Sequence, residues 1–137
     1  MGKINTCIFI SGKGTNLKKL IINSKQYNFP IKIKLIVCNN KNAEGLKLAR
    51  KWQIPYLIFQ NSQNLTENKI LIKLKNYKIN LILLAGFMKI LSKKFIRSFG
   101  KTILNIHPSL LPKFKGLNTF EKVLKNKEKK TGCTVHF

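Results

Sequence analysis

The spacing of short apolar runs constrains this chain most. Residues 4–10 (INTCIFI), 31–38 (IKIKLIVC), 81–85 (LILLA) and 102–106 (TILNI) are each the length of one buried strand. Strands covered on both faces carry near-continuous apolar runs, because neither face meets water. Between these runs, apolar residues recur at helical spacing. Leu17, Leu20 and Ile21 form one such set. Asn42 is the expected cap of a helix carrying Leu46 and Ala49. Pro55 opens a short strand over 56–59, and Thr66 is the expected cap of a helix with Ile70, Leu74 and Tyr77 on one face. Ser92 caps a helix carrying Phe95, Ile96 and Phe99, which Gly100 closes. A weaker helix is expected over 119–125. This alternation predicts an α/β fold with a mostly parallel sheet.

The chain has 137 residues, enough for a single domain (1–137) burying roughly two thirds of its unfolded surface. Apolar residues make up 44%, so it folds rather than staying disordered. The net charge is +23, with Glu44, Glu67, Glu121 and Glu128 as the acids and no Asp. Such an excess suits a polyanion partner. However, the cations are almost all Lys (Arg50 and Arg97 are the exceptions) and are spread along the chain without a dense block. They read as a solvated surface, so nucleic acid is not the expected partner. Cys7, Cys38 and Cys133 show no metal-ligand spacing, and Cys7 and Cys38 sit inside strand-like runs as buried thiols. No run is long enough to span a bilayer, and the start MGKINTCIFI reads as a core strand rather than a leader or lipid anchor. The expected location is the cytoplasm.

In open α/β sheets, ligands bind beyond the carboxyl ends of the strands. Three segments fall there. Ser11-Gly12-Lys13-Gly14-Thr15-Asn16 follows the first strand and opens a helix, whose free N–H groups suit a phosphate. It is neither a dinucleotide nor a Walker motif, and an ordinary tight turn reads equally well. Residues 84–92 (LAGFMKILS) stay apolar through a glycine-containing loop, which suits the wall of a flat ligand, although the residues alone favour Phe87, Met88, Ile90 and Leu91 as plain core. Residues 105–112 (NIHPSLLP) set Asn105 and His107 two apart, so a strand aims both to one side. An amide donor beside an imidazole can hold an oxyanion and move a proton.

With SGKGTN, LAGFMKILS, NIHPSLLP, KGLNT and TGCTVHF in this order, the chain resembles the phosphoribosylglycinamide formyltransferases, folate-dependent enzymes of purine synthesis. The resemblance covers essentially the whole chain. It implies a Rossmann-like sheet with helices on both faces. It also implies formyl transfer from 10-formyltetrahydrofolate, as co-substrate, to the amine of glycinamide ribonucleotide, with no metal. By resemblance, His107 is the proton donor and Asn105 holds the oxyanion. Gly14, Thr15 and Asn16 bind the ribonucleotide phosphate. Gln63, Met88, Lys89, Ile90 and Leu91, with Asn105, bind the folate. Lys13, Gln63 and Asn118 stand where the family often has Asn, Arg and His. The family's His-pairing Asp falls beyond Phe137, and Cys133, Val135 and Phe137 alternate as an unfinished strand. Both points lead to the expectation of a C-terminally truncated product with impaired activity. A methionyl-tRNA formyltransferase shares the Asn-x-His-Pro core but differs in its glycine loop and after the prolines. A non-enzymatic basic nucleic-acid-binding module is the remaining alternative. The oligomeric state is open.

Overall fold

The computed structural model describes the backbone of residues 2–59, 63–107 and 134–136, and side chains within 2–59 and 66–105. Its elements are β1 (Ile4–Ile10), α1 (Thr15–Ser24), β2 (Ile31–Cys38), α2 (Gly45–Lys51), β3 (Tyr56–Ile58), α3 (Gln63–Asn76), β4 (Leu81–Leu84), α4 (Lys93–Phe99), β5 (Thr102–His107) and β6 (Thr134–His136). Among the described residues, six strands form one sheet in the order β3-β2-β1-β4-β5-β6. The first five are parallel, and β6 runs antiparallel to β5.

The apolar runs explain why β1 lies inside the sheet. Successive strand residues point to opposite faces, and β1 is apolar on both. Ile8 and Ile10 pack with Leu17 and Ile21 of α1 and with Leu46 and Ala49 of α2. Cys7 and Phe9 pack with Ile70 and Leu74 of α3 and with Phe95 and Phe99 of α4. The sheet is therefore covered by helices on both sides, as expected. Phe9 sits between Phe87 and Phe95, with edge-on ring centroids at 5.3 and 6.1 Å. Each such buried side chain contributes about 1.5–3 kcal/mol by leaving water.

Two helix starts differ from the sequence expectation. α2 begins after Glu44, and Asn42 is not its cap. Instead Asn40 turns the chain, its Oδ1 accepting the Asn42 N–H at 2.9 Å and its carbonyl the Ala43 N–H at 3.1 Å. That side chain satisfies the backbone two residues before the expected cap, and the Gly45 N–H at the head of α2 goes to the Gly12 carbonyl. α3 begins at Gln63, so Thr66 lies inside it. No Gly or Pro separates Gln63 from Thr66, and nothing in those residue types stops a helix there. The expected apolar face of α3 is present, with Tyr77 one residue past the end of the helix. Ile70 and Leu74 are buried, and Tyr77 packs beside them. The expected helix over 119–125 lies outside the described residues.

α4 is bounded as its sequence implies. The Ser92 Oγ accepts the Phe95 N–H at 3.0 Å. Gly100 is left-handed, at φ 65°, and its N–H donates to the Ile96 carbonyl at 3.1 Å. Phe95 and Phe99 face the core, while Ile96 is exposed. A Cβ at Gly100 would meet only the Arg97 carbonyl oxygen, at 3.5 Å. Gly100→Ala therefore costs backbone strain alone, about 1 kcal/mol. Urea unfolding should show a lower midpoint with an unchanged slope; an unchanged midpoint would contradict the assigned role of Gly100.

Candidate active site

The strand order reverses direction at β1. From β1 the chain steps outward to β2 and β3, then returns to β4 on the other side. α1 and α2 lie on one face and α3 and α4 on the other. A crevice therefore opens beyond the carboxyl ends of β1 and β4, where the connections leave in opposite directions. The sequence places SGKGTN after β1 and Gly86-Phe87-Met88-Lys89-Ile90-Leu91 after β4.

The glycine loop is built for close approach. Gly14 is left-handed at φ 79° and stands at the N-terminus of α1, where no side chain caps the helix and no acid lies in the first turn. The first-turn N–H groups of Thr15 and Asn16 thus sit at a positive helix end open to an anion. Gly14 has a second reason to be glycine: a Cβ there would lie 2.8 Å from the Cα of Gly45. Gly45 opens α2 and donates its N–H to the Gly12 carbonyl at 3.0 Å. A Cβ on Gly45 would in turn strike Ile10 Cδ1 at 2.6 Å. Sequence reasoning singled out Gly14 but missed Gly45. Its only signal was a glycine at the head of a helix whose cap had been assigned elsewhere.

The β4–α4 loop divides between the two readings the sequence left open. Phe87 and Leu91 pack onto the core. Met88 and Ile90 are 54% and 77% exposed. The Lys89 ammonium lies 5.2 Å from the centroid of the Phe59 ring. The two loops are tied together: Ser11 Oγ accepts the Met88 N–H at 2.8 Å. Ser11 is nearly buried, so this bond is partly shielded from water.

Asn105 and His107 occupy alternate positions at the end of β5. Asn105 pairs in register with Leu84, which pairs with Phe9. Neighbouring strands lie about 4.8 Å apart, so β5 is roughly 10 Å from β1 along the sheet edge. The three sequence-derived segments therefore share one edge. On its other side Asn105 pairs in register with His136 of β6, and His107 with Thr134. This neighbouring histidine was not among the sequence-derived candidates; the alternation in TGCTVHF signalled its strand but not its partner. Gln63 begins α3, which follows the carboxyl end of β3, so it too stands on the side of the sheet where the other candidates lie. The segment 108–133, with Pro108, Asn118 and Glu121, lies outside the described residues.

Cys7 and Cys38 are buried, and burial raises both thiols above their ordinary range; at Cys38 a backbone hydrogen bond with Asn40 works against it. They are protonated core groups, not nucleophiles. Among the described residues, no group of three or more His, Cys, Asp or Glu could hold a metal ion, and no helix is long and apolar enough to cross a membrane.

A doubly wound α/β sheet with a glycine-opened helix after its central strand defines a ligand-binding domain whose site lies at its carboxyl edge. Comparison with known proteins narrows this. The sequence pattern of the family described as "Formyl transferase" matches residues 4–137. The chain belongs to that family. It is 42% identical to the phosphoribosylglycinamide formyltransferase of Haemophilus influenzae over 134 residues, covering 95% of this chain and 63% of that protein. It is likewise 42% identical to part of the trifunctional purine biosynthetic protein adenosine-3 of Gallus gallus, covering 98% of this chain and 14% of that protein. In structure it superposes on glycinamide ribonucleotide transformylase 1 from Geobacillus kaustophilus with a TM-score of 0.92 and 32% identity, covering 98% of this chain and 74% of that one. The chain thus spans less than two thirds of the length of the Haemophilus influenzae relative.

Proposed function

We propose that this chain carries out formyl transfer from 10-formyltetrahydrofolate to the amine of glycinamide ribonucleotide, as a cytoplasmic step of purine synthesis that needs no metal and no membrane or nucleic-acid partner. The observation that carries the reading is the convergence of three segments on one sheet edge: the open helix end at Gly14, the exposed apolar loop at Met88 and Ile90, and the Asn105–His107 pair. The relatives' names favour it over a methionyl-tRNA formyltransferase.

In this reading, the ribonucleotide phosphate rests on the first-turn N–H groups beside Gly14, Thr15 and Asn16. The folate ring lies on Met88, Lys89, Ile90 and Leu91, with Gln63 and Asn105 as further contacts. The amine then attacks the formyl carbon, and negative charge develops on the formyl oxygen. The Asn105 amide donates a hydrogen bond to that oxygen, stabilising charge that the ground state lacks. The attacking nitrogen loses a proton, and collapse of the tetrahedral intermediate expels the folate nitrogen. His107 supplies that nitrogen with a proton, and the proton lost by the amine restores His107. The amine is itself the nucleophile, so buried Cys7 and Cys38 have no part.

The test uses the chain as it stands and the chain joined to the remaining segment of the Haemophilus influenzae relative. Each is given both substrates, and formylated ribonucleotide is measured. The joined protein should form product only when both substrates are present. Formylation of methionyl-tRNA instead, or no product from either protein, would overturn the reading.

A further inference from the structure

Glu67 is the one acid among the described residues that is buried, at 8% exposure. It lies in α3, yet its partner belongs to the neighbouring connection. Glu67 Oε2 accepts the Ser92 N–H at 3.1 Å, and Oε1 accepts the Ser92 hydroxyl at 2.7 Å. The Ser92 Oγ accepts the Phe95 N–H at 3.0 Å and so caps α4. Ser92 thus presents two donors, and a carboxylate, which only accepts, satisfies both. A carboxamide offers one acceptor oxygen and would turn its NH2 group toward a donor or toward an oxygen already in use. The site therefore suits the two acceptor oxygens of a carboxyl side chain better than a carboxamide.

A clamp of this kind needs a reason beyond joining two helices, since Leu74, Phe95 and Phe99 already do so through apolar packing. Its position supplies one. Ser92 ends the loop that begins at Gly86. Near the loop's start, the Met88 N–H is held by Ser11 Oγ at 2.8 Å. The loop is pinned by a partly buried polar contact on each side of Lys89, Ile90 and Leu91, while Met88 and Ile90 stay exposed. Exposed apolar side chains on a connection would otherwise fold back and shed water contact.

We propose that Glu67 is a positioning residue that acts through Ser92 to hold the Met88–Leu91 loop open as a preformed wall for the formyl-folate ring. The proposal rests on the formyl-transfer reading above for the identity of that ligand, but not for the clamp itself. A preformed wall spares the ligand the cost of ordering the loop on binding.

The variants are Glu67→Gln, Ser92→Ala and the pair together, with Ser92→Thr as the conservative control, all in the joined protein. In Glu67→Gln the KM for 10-formyltetrahydrofolate should rise about tenfold, the scale of one lost hydrogen bond to a charged group. The KM for the ribonucleotide should stay put. Ser92→Thr, which keeps the hydroxyl, should behave as the parent does. The double variant should be less than additive, because both changes break one network. Independently of any ligand, hydrogen exchange at the amides of 86–92 should quicken in Glu67→Gln while the strands stay protected. Unchanged exchange there would overturn the clamp. Equal rises in both KM values, or a lowered Tm with neither KM altered, would reduce Glu67 to a structural staple and overturn the proposal. If the parent transfers no formyl group, the functional reading fails on that result, and the exchange comparison still decides whether Glu67 holds the loop.

Discussion

His107→Ala and Asn105→Ala should each lower kcat of formyl transfer by about 100-fold or more, the usual scale for a lost proton donor or oxyanion donor. The two residues stand at alternate positions where β5 reaches the sheet edge, next to the carboxyl end of β4. In the proposed reaction, that position stands between the two substrates. It is too far along the edge to be part of the phosphate loop on β1, roughly 10 Å away by strand spacing. The effects should therefore fall on kcat, with the ribonucleotide KM little changed. A variant that raised only KM would identify its residue as a binding group. The double variant should cost little more than the worse single one, because groups acting on one transition state are not additive.

Gly14→Val should be damaging in two ways that can be separated. At φ 79° a β-branched residue is strained, and its Cβ would press on the Gly45 Cα at 2.8 Å, a backbone atom that cannot swing aside. Together these should remove about 2–5 kcal/mol of stability. The substitution also displaces the start of α1, so whatever folds should show a much higher KM for the ribonucleotide. Gly12→Ala separates the two effects. A Cβ at Gly12 would meet nothing within 4 Å. This variant should keep the parent's Tm, so any rise in its ribonucleotide KM reports on ligand approach alone. A Gly14→Val protein with the parent's Tm would mean that the contact between Gly14 and Gly45 is not as tight as described.

Much of this fold was legible because its signals are local. The strands at 4–10 and 31–38 appear as apolar runs, and Ser92 and Gly100 mark the ends of α4 by the chemistry of their own side chains. The misreadings share a cause. Asn42 and Thr66 each have a capping side chain, but whether a polar residue caps depends on which backbone groups are free. At α2 the Gly45 N–H, which Asn42 would have capped, donates instead to the Gly12 carbonyl, and at α3 the helix begins before Thr66. The site divides the same way. Gly14, Asn105 and the exposed loop could be found from spacing within a segment. Gly45, Glu67 and His136 could not, because their significance comes from partners far away in sequence: Gly14, Ser92 and Asn105. The split within the β4–α4 loop was also hidden. Phe87 and Met88 are both apolar, and only packing decides that one is covered and the other left in water.

The central position of β1 bears on how the molecule assembles. One edge of β1 is met by β2, starting at Ile31, which follows soon after it in the chain; the other edge must wait for β4, starting at Leu81. The face of β1 bearing Ile8 and Ile10 finds α1 and α2 within the first half of the sequence, whereas the face bearing Cys7 and Phe9 depends on α3 and α4 from the second. Closing the longer loop costs more chain entropy before any contact repays it. A nascent chain whose residues 87–95 are not yet made leaves Phe9 shielded by neither Phe87 nor Phe95. That bare aromatic face is where a chaperone would find purchase and where two unfinished copies would adhere.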